Sequence, residues 1–162
     1  IGSHGLRGKQ NMYEHTVGVP LVMSGPGLPR GKRLDAQCYL RDLFPTVCEM
    51  IGIAIPESVE GKSLVPVLNG QGKSVYPHIV AYFRDKQRMV RTDEWKLIVY
   101  PHLGRRQLFH LKTDPHELHD LSSDPRHAAV VTDLAHKLLD WQRAHDDPVR
   151  CELLLALEGI RT

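Results

Sequence analysis

Residues 78–111 read HIVAYFRDKQRMVRTDEWKLIVYPHLGRRQLFHL, and this stretch decides the architecture. Four short runs rich in β-branched and aromatic side chains follow one another: IVAYF at 79–83, RMVRT at 88–92, WKLIVY at 95–100 and QLFHL at 107–111. Between them stand residues 84–87, the pair Asp93 and Glu94, and residues 101–106, connections whose lengths suit hairpins. The run predicts a four-stranded antiparallel meander. A sheet of this size needs a cover, and the chain supplies one downstream. Asp124 and Pro125 place an N-cap and a proline at the first helical position. Val131, Leu134, Leu138 and Trp141 then form an apolar stripe, with Ala135 and His145 alongside, which predicts a long helix over 124–146. Residues 149–162 (VRCELLLALEGIRT) add a further short helix.

Upstream the texture differs. Residues 1–18 are polar, glycine-rich and loop-like. The run VPLVM at 19–23 predicts a short buried strand, stopped by Gly25, Pro26 and Gly27. After a basic turn (Arg30, Lys32, Arg33), Phe44, Val47, Cys48 and Ile51 fall at i, i+3, i+4 and i+7, one face of a helix over 42–51. Asp42 suits its N-cap, Pro45 its first turn and Gly52 its C-cap. Residues 53–78 carry Pro56, Gly61, Pro66, Gly70, Gly72 and Pro77, so they read as connection, with a short helix at 63–68. This is the best candidate for a subdomain boundary. The fold class is α/β.

The 162 residues are 41% hydrophobic and 25% charged, ordinary for a soluble globular chain long enough to bury a core. The net charge is +2, and Lys and Arg are scattered rather than striped, which argues against a nucleic-acid partner. No 18-residue apolar run exists, so no membrane span is expected. No signal peptide stands in this chain, but an upstream one could have been removed, so the compartment stays open. Cys38, Cys48 and Cys151 form no CxxC pair, so neither a zinc site nor a disulfide framework is indicated. Cys38 and Cys48 read as buried small hydrophobes.

Three motif-like patterns fail. GPGLPRGK at 25–32 has five residues between Gly25 and Gly31, and Arg33 stands where a phosphate loop needs Ser or Thr. HELHD at 116–120 brings its second histidine one residue too early for HExxH, and its residues read as a turn. Asp146 and Asp147 read as a solvated helix end. The stretch HGLRGKQNMYEH at 4–15 is different. Gly5 and Gly8 let the backbone approach a ligand closely, and Lys9 offers an ammonium that suits a sulfate or phosphate oxyanion. His4 could donate a proton or hydrogen bond to a leaving oxygen. The plainer reading of the same residues is an ordinary polar loop with an exposed lysine.

Five segments, in order, resemble type I sulfatases of the alkaline-phosphatase-like superfamily. GSHGLRGKQNMYEHTVGVPLVMSGPG (2–27) is similar to the family's GEHGLxGKxxxYE…RVPLIxxxPG, and RDLFPTVCEMIGI (41–53) to its D-[LI]-x-P-T-[LIV] helix. VEGKSLVPVLNG (59–70), VRTDEWKLI (90–98) and QLFHLKTDPHELHDLSSDP (107–125) resemble the pieces that follow, so the likeness covers about residues 2–145. Ser3 stands where Glu is frequent, and Gly18 where Arg or Lys often precedes Val-Pro. These departures bear on subsite detail rather than membership.

The resemblance implies the C-terminal part of an alkaline-phosphatase-like α/β domain (1–74) followed by a small α+β subdomain (75–162), a four-stranded antiparallel sheet packed on the long helix. It implies that Lys9 binds the substrate sulfate and that His4, in the same loop, acts on the sulfate or leaving group. The C-x-P-S-R or S-x-P-x-R motif that yields formylglycine, and the calcium ligands, are not in this chain. The resemblance places both upstream, in a polypeptide of about 50–60 kDa. No cofactor is therefore expected on this chain alone, and the isolated chain is expected to be inactive. Implied partners are a sulfated small molecule or glycan, the remainder of the catalytic domain and, through uncovered apolar surfaces, further copies of the chain. An exported, periplasmic or extracellular location is compatible with the family. Alternatives are a phosphate or phosphonate monoester hydrolase of the same superfamily, and a non-catalytic module that binds sulfated glycans or a partner through Arg84, Arg88, Arg105 and Arg106.

Overall fold

A computed structural model describes residues 2–151 and Leu154. In chain order it contains a 3₁₀ turn at Ser3–Gly5, α1 (Glu14–Val17), a 3₁₀ turn at Leu40–Asp42, α2 (Leu43–Met50) and α3 (Val65–Leu68). Strands β1 (Ile79–Phe83), β2 (Gln87–Arg91), β3 (Trp95–Tyr100) and β4 (Arg105–His110) follow, then α4 (Ala128–Ala144). The chain divides into two units, one of residues 1–19 with 80–162 and one of residues 20–79.

The first unit holds the meander. Its strands lie in the order β1-β2-β3-β4, with Met89 opposite Ile98 and Ile98 opposite Gln107 across antiparallel pairs. Alternation along the strands sends Val80, Val90, Leu97, Val99 and Leu108 to one face, where Val131, Leu134, Ala135 and Leu138 of α4 cover them. The expected helix stripe is thus the buried one, and Asp124 caps the turn ahead of α4 by accepting the Arg126 N–H at 3.0 Å. The sheet has a second cover that the sequence pattern did not announce. Met89, Ile98 and Phe109 on the opposite face pack against Met12 and Tyr13 of the N-terminal segment. With both faces covered, β2 and β3 are buried almost throughout.

Asp147 departs from expectation. Instead of a solvated helix end it is a nearly buried carboxylate, 2.6 Å from Arg88 Nε and 2.7 Å from Arg88 Nη2, with Gln142 Nε2 donating to it at 2.8 Å. Arg88 is only 3% exposed, so it is no part of a surface arginine patch. The short helix expected at 149–162 lies outside the described residues, apart from 149–151 and Leu154.

The second unit is organised by one carboxylate. Asp42 is fully buried and accepts the Tyr39 N–H at 2.6 Å, the Lys62 N–H at 2.9 Å and the Tyr76 hydroxyl at 2.7 Å. Burial, and then the hydrogen bond to Asp42, push the Tyr76 phenol up to about 12. Asp42 holds the N-cap position of α2, though its side chain caps no N–H of that helix. It closes the preceding 3₁₀ turn by reaching back to the backbone of Tyr39. Gly61 is held so close to Arg41 that a Cβ would fall 2.4 Å from its carbonyl oxygen. Gly52 ends α2 at φ 72°, while the Ile53 N–H donates to the Cys48 carbonyl and the Gly52 N–H to that of Glu49, a Schellman closure.

Two further expectations fail in this region. Residues 19–23 form no strand, and Val19 and Val22 are 64% and 90% exposed. A strand needs a partner ladder, no described strand pairs with this run, and Pro20 has no N–H to offer. The apolar positions of α2 also split. Cys48 is buried with Pro45 and Thr46, whereas Phe44, Val47 and Ile51 stay exposed. The three cysteines are free, with Cys48 and Cys151 buried and Cys38 only half-buried.

The Arg88–Asp147 pair carries a pH signature. The Arg88 hydrogen bonds, as the largest cause, lower the Asp147 carboxyl to about 2. Because that lies below the ordinary carboxylate range, the pair stabilises the fold above about pH 4, and its contribution fades as pH falls toward 2. Urea unfolding should show Asp147→Asn less stable than the parent at pH 7 by about 1–2 kcal/mol, allowing for solvent screening. That gap should close between pH 5 and pH 2. A gap constant with pH would refute the pairing.

Candidate functional site

The loop that carries the candidate residues is shaped by left-handed backbone. Gly5 and Gly8 sit at φ 70° and 96°, and the 3₁₀ turn at Ser3–Gly5 is reached with His4 itself at φ 55°. Histidine is among the non-glycine residues that tolerate this region. The His4 ring is held by stacking: its centroid lies 3.8 Å from that of Tyr13 with 4° between planes, and His15 stands 5.5 Å away. Tyr13 is in turn anchored. Its hydroxyl donates to Gln107 Oε1 at 2.8 Å, as does the Tyr100 hydroxyl, and its ring tilts against Phe109. Burial, then the hydrogen bond with Tyr13, push the Tyr100 phenol well above its ordinary value.

Lys9 is exposed, and among the described residues it makes no hydrogen bond or ion pair. The structure thus places His4 on an aromatic platform and leaves the Lys9 ammonium, in the same loop, without a partner among the described residues. Just past Lys9 the chain tightens. Asn11 is 2% exposed, and its Oδ1 accepts the Tyr13 N–H at 3.1 Å and the Thr16 hydroxyl at 2.8 Å.

What fixes the far end of the loop is a buried cluster absent from the expected site residues. Lys96, at 0% exposure, places Nζ 2.6 Å from Glu14 Oε1, 2.7 Å from Glu117 Oε1 and 3.1 Å from the Met12 carbonyl oxygen. Glu117 Oε2 accepts the Glu14 N–H at 2.6 Å, and Arg91 Nε lies 3.1 Å from Glu14 Oε1. Two cations face two carboxylates, and the cluster is neutral. Glu117 comes from the HELHD segment and is indeed in a turn, at φ 57°, but it is 3% exposed rather than solvated. A lysine in the middle of an apolar strand was the available signal. Its partners lie 82 and 21 positions away in sequence, which no local pattern reveals.

Among the described residues no group of three or more His, Cys, Asp or Glu side chains could hold a metal ion. No helix among them is long and apolar enough to cross a membrane.

Residues 2–144 match the family described as N-sulphoglucosamine sulphohydrolase, C-terminal. The Δ4,5-hexuronate-2-O-sulfatase of Bacteroides thetaiotaomicron is 32% identical over 161 residues, covering 91% of this chain and 33% of the relative. A solved 2-O GAG sulfatase superposes with a TM-score of 0.65 at 30% identity, over 76% of this chain and 29% of that one. The phosphonate monoester hydrolase of Silicibacter pomeroyi, at 22% identity, shares the fold with a TM-score of 0.70 over 91% of this chain and 32% of that one. The chain belongs to the sulfatase C-terminal family, with the alkaline-phosphatase-like α/β fold of those neighbours. It spans about a third of the length of the relatives it matches.

The two lysines should respond oppositely to substitution. Lys96→Met leaves two carboxylates without their main partner and should lower stability by about 3–5 kcal/mol in urea melts. Lys9→Ala removes an exposed, unpaired side chain and should stay within about 0.5 kcal/mol of the parent. Comparable losses for both would contradict the contrast in burial.

Proposed function

We propose that this chain is the C-terminal part of a sulfatase whose complete form hydrolyses a sulfate ester of a sugar or aryl alcohol. Family membership over residues 2–144 carries the reading. The Lys9 loop adds chemistry in its support. An ammonium that no protein carboxylate has neutralised keeps its full charge for a sulfate oxygen, and such preorganised charge lowers the barrier because nothing must reorganise when the transition state forms. His4, stacked on Tyr13, is held with its imidazole in the same loop, where it would hydrogen-bond the sulfate or protonate the leaving oxygen. In the complete enzyme a formylglycine hydrate would supply the nucleophile and calcium the further neutralising charge. Residues 1–74 would then close the catalytic domain, and residues 75–162 would form the subdomain on which the loop rests. A sulfated glycan is the favoured substrate class, in line with the hexuronate 2-O-sulfatase relative. The exposed Phe44, Val47 and Ile51 would meet the remainder of that domain, or another copy of the chain when it is absent.

The test uses the complete translation product that carries this chain, with 4-nitrophenyl sulfate and 4-nitrophenyl phosphate compared at equal concentration. The sulfate ester should be the better substrate, and Lys9→Ala should lower kcat/KM for it by about 10²–10³-fold. Residues 1–162 expressed alone should show no turnover. Faster phosphate hydrolysis, or an undiminished Lys9→Ala variant, would overturn the proposal.

A further inference from the structure

The buried cluster around Lys96 has an unusual target, since two of its four contacts with the N-terminal segment are to main chain. Lys96 Nζ donates to the Met12 carbonyl, and Glu117 Oε2 accepts the Glu14 N–H. The other two are the ion pairs of Lys96 and Arg91 with the Glu14 side chain. These atoms belong to residues three and five positions beyond Lys9. Three residues of chain reach at most about 10 Å, so the grip limits how far the lysine can wander. An apolar cluster could bury the same area but could not hold a carbonyl and an amide in fixed places.

Energetics point the same way. Bringing ions out of water carries a penalty of several kcal/mol each, which their mutual attraction only roughly offsets, so a buried ion cluster is weak evidence for stability. The face under α4 also holds a buried ion pair, Arg88 with Asp147, beside its apolar contacts. What the ions add on the loop side is definition of the backbone path.

We propose that Lys96, with Glu14 and Glu117, is a positioning group for the Lys9 loop, holding it in register on the sheet so that the Lys9 ammonium meets the sulfate at a fixed place. The assignment rests on the sulfatase reading. Lys96 itself touches no substrate, and its effect reaches the chemistry through Met12, Glu14 and the loop between Gly5 and Met12.

The experiment compares the complete translation product with a Lys96→Met, Glu14→Gln, Glu117→Gln variant, which removes the buried ammonium with both its carboxylates and leaves the partly exposed Arg91 to solvent. This variant is expected to fold even where Lys96→Met alone does not. Amide exchange is measured over residues 5–13 and over β2 and β3, and kcat and KM are measured on 4-nitrophenyl sulfate. The expected result is exchange about 10-fold faster in residues 5–13 with β2 and β3 still protected, and KM raised about 10-fold or more. Lys9→Ala should cost less in this background than in the parent, because a misplaced ammonium has less to lose. Unchanged exchange in the loop, or a Lys9→Ala loss equal in both backgrounds, would overturn the proposal. A parent that hydrolyses no sulfate ester would instead sink the sulfatase reading, and the exchange comparison alone would still decide whether Lys96 holds the loop.

Discussion

A lysine ammonium at zero exposure must be matched by opposite charge, and the rest of the first unit follows from how Lys96 is matched. Its strand position puts it on the face opposite α4, in line with Ile98 and Tyr100. Glu14 arrives from the start of the chain and Glu117 from the turn after β4, so a single charge draws two separated segments onto one sheet face. Met12 and Tyr13 then follow as the apolar cover, and β2 and β3 become central strands buried on both sides. Hydrophobic area supplies most of the favourable free energy here, as in most domains. The ions decide which backbone sits where.

Asp42 plays the corresponding part in the second unit with a different balance. Its charge is met by two main-chain amides and a phenol rather than by a cation. A carboxylate that accepts several hydrogen bonds can stay buried without an ion pair. Thr46 extends the network, donating to the Asp42 carbonyl and accepting the Leu64 N–H, so α2 and the approach to α3 are linked through two small polar side chains. In both units the buried polar atoms reach for backbone, which makes each a determinant of loop path more than of helix or strand formation.

The sheet and α4 were legible because their signals are local. Alternation with period two, short connections, and an apolar stripe after Asp124 and Pro125 each span fewer than twenty residues. The run at 19–23 looked equally apolar and is no strand, because strand formation depends on a neighbour that composition does not show. The α2 stripe failed in a related way. Phe44, Val47 and Ile51 share a face with each other, but the sequence does not say whether anything covers that face. At the candidate site, Lys9 and His4 were legible from the glycine-flanked loop and from family likeness. Tyr13, Asn11, Lys96 and Glu117 were not, since each matters through a contact that the linear pattern conceals. Asp147 was misread for the same reason: its partner Arg88 lies 59 positions away.

Lys9 and Lys96 put one side-chain chemistry to opposite uses, and the contrast bears on what the loop can do. Lys96 spends its charge on carboxylates and a carbonyl, so it has little field left to offer a ligand. Lys9 has no such partner among the described residues and is exposed. A free ammonium on a mobile loop would still be a poor catalytic group, because binding would have to order it first. The two lysines therefore complement each other. The fully paired one removes freedom from the backbone, and the unpaired one keeps the charge that a sulfate oxygen would meet. An anion site needs both properties, and a single lysine cannot supply them, since the contacts that would immobilise it are the ones that would neutralise it.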